Sequence, residues 1–314
     1  MLYLINGLEY GKTMVLISTA LTFILTIACI KIFQRFLPQD IGRDFALNGK
    51  LSKGKYRGAG IIFIIFFVVM SLLFVPIDKE YIIYCVLLLA AMLSGFLDDV
   101  SKVPWGEYKK GLIDLVIAAV AAWTFTNFNT DAIGFAFFGK FVVIPKLVYI
   151  LLATVLIWMS INVTNCSDGV DGLSGSLSIA TLLCFFFVFT KQGSAYSHII
   201  LLLIACIAGY LWFNTSPSSL LMGDAGSRAL GFFIAVLAMK TCNPFIYLLA
   251  ALVFIVDGGA GLVKIFLLRF FKIHILKNVR TPIHDFVRQK YGWSDSQVVF
   301  RFTAVQLLAL FFFV

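Results

Sequence analysis

Residues Asn162–Gly175 read "NVTNCSDGVDGLSG", and they lie between "KLVYILLATVLIWMSI" (Lys146–Ile161) and "LLCFFFVF" (Leu182–Phe189). Apolar runs of that kind read as membrane-spanning helices, and the polar stretch reads as the turn between them. The turn is the part that needs explaining. A carboxylate beside lipid is costly unless it is paired, hydrated or bound to a cation, and this turn carries both Asp168 and Asp171.

The rest of the 314-residue chain repeats the pattern: 61% of it is hydrophobic, 13% is charged, and the mean hydropathy is +0.98. A soluble domain averages about 45–50% apolar and about 25% charged residues. Apolar runs recur at roughly 14–36, 58–76, 81–97, 111–127, 146–163, 173–190, 197–213, 227–241, 243–268 and 295–314. They predict an all-α integral membrane protein of about ten transmembrane helices, forming a single polytopic domain over residues 1–314. No run alternates with a period of two, which argues against a barrel. "MLYLINGLEYGKTM" lacks the basic start of a removable leader. The six cysteines are scattered without CxxC or Cys/His spacing and read as small packing residues, Cys166 in the polar turn excepted.

Lys and Arg set the orientation. One set of alternate loops holds Arg43, Lys50, Lys53, Lys55, Arg57, Lys102, Lys109, Lys110, Arg228, Arg269, Lys272, Lys277, Arg280, Arg288 and Lys290. The other holds only Lys12, Lys79, Lys140, Lys146, Lys191 and Lys240. The basic side is therefore expected to be cytoplasmic, with both termini outside. Asp98, Asp99, Asp168, Asp171, Asp224 and Asp285 all fall on that same side.

Four constellations carry the chemistry. "SGFLDDVSK" sets Asp98 beside Asp99, and two adjacent carboxylates need a metal or a base such as Lys102 to ionise together. In the opening stretch a helical spacing would put Asp168 and Asp171 on one face, with Asn165 nearby; oxygen-rich sites of this kind suit Mg²⁺ and substrate phosphates. "LLMGDAGSRALG" offers Gly223, Asp224, Ser227 and Arg228: the aspartate could hold a metal while the helix N-terminus and Arg228 attract phosphate, or Asp224 or Ser227 could simply be an N-cap. "RTPIHDFVRQKYGWSDSQVVFRF" surrounds His284 with Arg280, Arg288 and Lys290, and "SDSQ" reads as a capping box on Ser294 and Gln297. One membrane face thus collects acids that can hold Mg²⁺ and bases that can hold a diphosphate.

"GFLDD", "NVTNCSDGVDGL", "MGDAGS" and "PIHDF…GWSDSQVVFRF" follow the order and spacing of the polyprenyl-phosphate N-acetylhexosamine-1-phosphate transferase superfamily, which the chain resembles over nearly its whole length. The last segment is most similar to the muramoyl-pentapeptide branch. The resemblance implies a Mg²⁺-dependent exchange at the cytoplasmic face of the bacterial inner membrane, in which undecaprenyl phosphate attacks UDP-MurNAc-pentapeptide and UMP leaves. It also implies a homodimer. By motif, Asp98 would be the candidate base with Asp99 beside it, and Asp224 would hold Mg²⁺. Asn165, Asp168 and Asp171 would line the nucleotide and diphosphate pocket, His284 would stand at its rim, and Lys110 would lie near the uridine. Two departures stand out. "HDF" supplies one histidine where the family usually shows three, and "GKYRGAG" (Gly54–Gly60) replaces the usual "GTPTMGG".

Two alternatives remain beside this reading: a transferase that uses UDP-GlcNAc, and a secondary transporter, for which the intramembrane Asp114 and Asp257 would be suited. Nucleic acid is not needed to explain the net charge of +9, since orientation and anionic substrates account for it.

Overall fold

The structure is a computed structural model that describes residues 11–40, 42, 52–101, 103–129, 134–137 and 140–313. Among them, seven helices are long and apolar enough to cross a membrane: Lys12–Phe36, Lys79–Val100, Glu107–Phe128, Lys146–Cys166, Leu173–Lys191, Tyr196–Asn214 and Asp295–Phe312. Large side chains such as Leu16, Val86, Leu112, Leu151 and Phe300 remain exposed on their outer faces, where lipid replaces water.

The other three expected runs are helical as well, but different in kind. Gly60–Phe74 has 15 residues. Gly223–Lys240 begins four residues earlier than the apolar run starting at Ser227, so Asp224 sits in its first turn and is not its N-cap. This helix is buried on every side from Gly223 to Met239, packed by Gly60–Phe74, Lys79–Val100 and Lys146–Cys166. Small residues make those crossings close: a methyl at Gly60 would overlap the Gly226 backbone, one at Gly95 the Asp224 carbonyl, and one at Gly231 the Ser160 carbonyl. Ser160 Oγ also donates to the Gly231 carbonyl at 2.6 Å.

The ninth run is broken into Ile246–Ala250, Leu252–Phe254, a π turn at Ile255–Gly259, Ala260–Phe266 and a second π turn at Leu267–Phe271. The fully buried Gln306, from the last long helix, sits in the first break. Its Oε1 accepts from the Val253 N–H at 2.9 Å, and its Nε2 donates to the Ala250 carbonyl at 2.7 Å. A side chain inserted into the ladder is a recognised cause of such breaks.

Two small elements lie outside the apolar runs. A short antiparallel hairpin pairs Gly134–Phe137 with Lys140–Val143, and an amphipathic helix covers Ile283–Tyr291. Ser294 caps the last helix in the expected capping box with Gln297. At the bundle end away from the motifs, Lys240 pairs with Glu80 at 2.8 Å, and Tyr84 and Asn129 each donate to that carboxylate at 2.7 Å.

Candidate active site

Four chain segments meet at the other end of the bundle: the C-terminal end of Lys79–Val100, the N-terminal end of Glu107–Phe128, the turn after Lys146–Cys166 and the start of Gly223–Lys240. These ends bring the Asp98–Asp99 pair, the polar turn and the start of the central helix to one level, and His284 joins them against Gly169.

Asp98 and Asp99 diverge to different partners. Asp98 Oδ1 accepts from the Trp105 backbone N–H at 2.7 Å, and its Oδ2 pairs with Lys110. Lys110 Nζ also reaches Asp224 Oδ2 at 3.1 Å, bridging the two carboxylates. Asp99 Oδ2 accepts from the Ala225 N–H at 3.1 Å and so takes one of the free donors at the start of the central helix. The structure gives that N-terminus to a carboxylate, where the sequence had offered it to phosphate. Asp99 Oδ1 lies 2.8 Å from Arg57 Nη2 in an ion pair without hydrogen-bond geometry.

Arg57 completes the cluster. Its guanidinium also lies 3.6 Å from Asp224 and 3.4 Å from Asp40. Burial works against its charge, but Asp99, Asp224, Asp40 and Asp98 outweigh that and hold its pKa above the ordinary value. The strap that carries it is fixed by backbone pairing: Tyr56 bridges Gln39 on one side and Leu220 on the other. Three residues after Leu220 comes Gly223, at φ +73°; a side chain there would be strained and would strike the Asp99 carboxylate.

The opening stretch is a turn from Ser167 to Gly172, so helical spacing does not govern Asp168 and Asp171. Asp171 Oδ2 takes Lys55 Nζ and the Ser218 N–H, each at 3.0 Å. Asp168 is half-buried in the same turn, its backbone N–H donating to the Asn165 carbonyl at 3.2 Å. Gly172 leaves the turn at φ +85°, a left-handed conformation that suits glycine, and its N–H is held by Asn214 at 2.8 Å. Asn165 Nδ2 donates to Ser227 Oγ at 2.9 Å, tying the turn to the central helix. His284 closes the same side: a methyl on Gly169 would collide with its Nε2.

One expected phosphate ligand is elsewhere. Arg228 is 2% exposed and turned into the bundle onto Asp114 at 2.5 Å, one helical turn below Asp224 and Lys110. A guanidinium so enclosed serves the intramembrane carboxylate and not a ligand. Lys102 lies outside the described residues. The sequence reading missed Arg57, Lys55 and Asp257 as site residues. The first two were visible only as loop charges inside the departing "GKYRGAG", and the third only as an isolated intramembrane acid.

Comparison with known proteins identifies the family. The family model for glycosyl transferase family 4 matches residues 81–242, which contain Asp98, Asp99, Asp168, Asp171 and Asp224. The chain belongs to this family. Its similarity to individual members is more particular. It is 40% identical over 304 residues to the phospho-N-acetylmuramoyl-pentapeptide-transferase of Treponema pallidum, covering 90% of this chain and 84% of that protein. It is 28% identical over 312 residues to the protein of the same name from Caldanaerobacter subterraneus, covering 95% and 96%. A further 28% match over 280 residues is to the Thermotoga neapolitana protein of that name, covering 87% and 90%.

Proposed function

We infer that this multi-pass membrane protein transfers phospho-MurNAc-pentapeptide from UDP-MurNAc-pentapeptide to undecaprenyl phosphate in the bacterial inner membrane, releasing UMP. The observation that carries the reading is the meeting of Asp98, Asp99 and Asp224 with Lys110 and Arg57 at one end of the bundle. Acids and bases interleaved at a membrane boundary suit the joining of a soluble diphosphate donor to a lipid-borne phosphate.

In this reaction an oxygen of the acceptor phosphate bonds to the β-phosphorus of the donor as the bond to UMP breaks. A phosphate monoester has its second pKa at about 6, so the nucleophile is already largely dianionic at neutral pH. Asp98 has both oxygens engaged, by the Trp105 N–H and by Lys110. That supports a role in holding Lys110 toward the anionic donor over one in abstracting a proton. Lys110 and Arg57 would meet the diphosphate charge, and the Asn165–Gly172 turn would receive the nucleotide part.

Mg²⁺ fits this site in one mode. Among the described residues no three His, Cys, Asp or Glu are grouped to hold a metal by themselves. Mg²⁺ is usually bound by one or two carboxylates plus substrate phosphates and waters, and Asp224 would be the carboxylate that holds it. When bound it would neutralise diphosphate charge. The test is UMP release by purified protein with undecaprenyl phosphate, offering UDP-MurNAc-pentapeptide and UDP-GlcNAc in parallel, with Mg²⁺ or with EDTA. Turnover of the pentapeptide donor alone, lost in EDTA, is expected. Turnover of UDP-GlcNAc alone moves the chain to the other branch, and silence with both in folded protein sinks the transferase reading.

A further inference from the structure

Asp257 is a fully buried carboxylate in the π turn Ile255–Gly259 of the broken helix. A π turn admits an extra residue into the helix, and such turns are frequent at functional sites. This one is pressed against the end of Lys146–Cys166: a methyl on Gly258 would overlap the Val163 carbonyl and stand 3.1 Å from Ser167 Oγ. Asp257 is thereby held between the polar turn and the Ile283–Tyr291 helix.

Both of its oxygens go to one residue. Oδ1 accepts from the His284 backbone N–H at 2.7 Å, and His284 Nδ1 lies 2.8 Å from Oδ2 and 3.1 Å from Oδ1. The opposite nitrogen, Nε2, faces Gly169 in the polar turn. Asp285 stands 3.9 Å from Nε2 and is held by Arg280 and Arg288 at 3.4 Å each.

We propose that Asp257 is a positioning residue that keeps the His284 proton on Nδ1 and presents Nε2 to the Asp168–Gly172 turn as a hydrogen-bond acceptor. A carboxylate only accepts, so Nδ1 must donate; which imidazole nitrogen carries the proton is set by the partner of the other. Nε2 then takes an N–H or O–H of the nucleotide-sugar donor. The use made of Nε2 rests on the transferase reading, whereas the tautomer does not.

Asp257→Asn makes a sharp test. Its single acceptor oxygen must serve the His284 backbone N–H, which cannot change. The amide NH₂ then takes the position 2.8 Å from Nδ1, nearer than the oxygen at 3.1 Å, and a hydrogen bond forms across that shorter distance only if the proton moves to Nε2. The chain has three histidines, His198, His274 and His284. ¹⁵N-histidine labelling in lipid bilayers therefore gives few signals, and His284→Gln identifies the one in question. The expected result is an unprotonated Nε2 in the unaltered chain and a protonated Nε2 in Asp257→Asn. With an unchanged melting temperature, that variant should raise the donor KM about tenfold, the scale of one lost hydrogen bond, with a smaller change in kcat.

Protonated Nε2 in the unaltered chain overturns the proposal, and that spectrum needs no variant to fold. An unchanged tautomer in Asp257→Asn, or an unchanged KM once the tautomer has moved, overturns it too. If the unaltered protein turns over neither nucleotide sugar, the transferase reading fails and the role given to Nε2 falls with it, while the spectrum still decides the tautomer.

Discussion

At Arg57 one guanidinium faces three carboxylates from three separate segments, Asp40, Asp99 and Asp224. The adjacent pair Asp98 and Asp99 announces in the sequence that a cation must stand close, but not which one. The structure gives each acid its own, Lys110 and Arg57, from segments on either side of the pair in the chain. Arg57→Gln should lower kcat/KM by about tenfold or more, because it leaves Asp99 and Asp224 facing one another with one cation fewer. Arg57→Lys should recover only part of that, since a point charge cannot span carboxylates as a planar fork does. Steady-state UMP release by the two variants checks this; equal activity of both with the unaltered protein would remove Arg57 from the site. His284 shows the same limit of sequence reading. Its neighbours in the chain, Arg280, Asp285 and Arg288, were visible, but the carboxylate that holds it lies 27 residues away and was read as a transporter feature.

Elements were easier to read than their interruptions. Apolarity locates helices at each of the ten runs because lipid leaves the backbone no other partner. It says nothing about Ala251, where the ninth run breaks, because the cause is a polar residue in another helix. Gln306 sits in an apolar stretch of the last helix, and only its fold partner makes sense of it. Gln306→Leu keeps the apolar pattern yet strands the Val253 N–H and the Ala250 carbonyl. Each buried unsatisfied group costs about 1–3 kcal/mol, so a clear fall in melting temperature in detergent is expected. An unaltered melting temperature would mean that the break is maintained without the glutamine. The four-residue strands of the hairpin are too short to carry a periodic signal against the apolar background. The capping box at Ser294, by contrast, is wholly local and was plain from four residues.

On the scale of the whole molecule, seven helices among the described residues are long and apolar enough to cross a membrane, whereas the orientation drawn from the basic residues takes all ten apolar runs as crossings. The difference lies in what surrounds a helix. Gly223–Lys240 carries Asp224, Arg228 and Lys240 and is buried on all sides, so it answers to protein neighbours and need not look like a lipid-facing span. At about 1.5 Å per residue it is long enough to cross most of a hydrocarbon core. Gly60–Phe74 is shorter, and the broken run reaches across in pieces joined by π turns. The two counts make opposite predictions, since an even number of crossings returns the chain to its starting side and an odd number does not. Reporters fused in turn to the two ends of the chain, read by an impermeant label on intact cells, should both respond from outside, and cysteines placed near Lys109 and Arg280 should be shielded until the membrane is opened. Ends on opposite sides would mean that one of the three atypical helices, or all three, enter the bundle without crossing it. The meeting of Asp99, Lys110 and Asp224 would survive that result, because it depends on the bundle end they share and not on which face of the membrane that end meets.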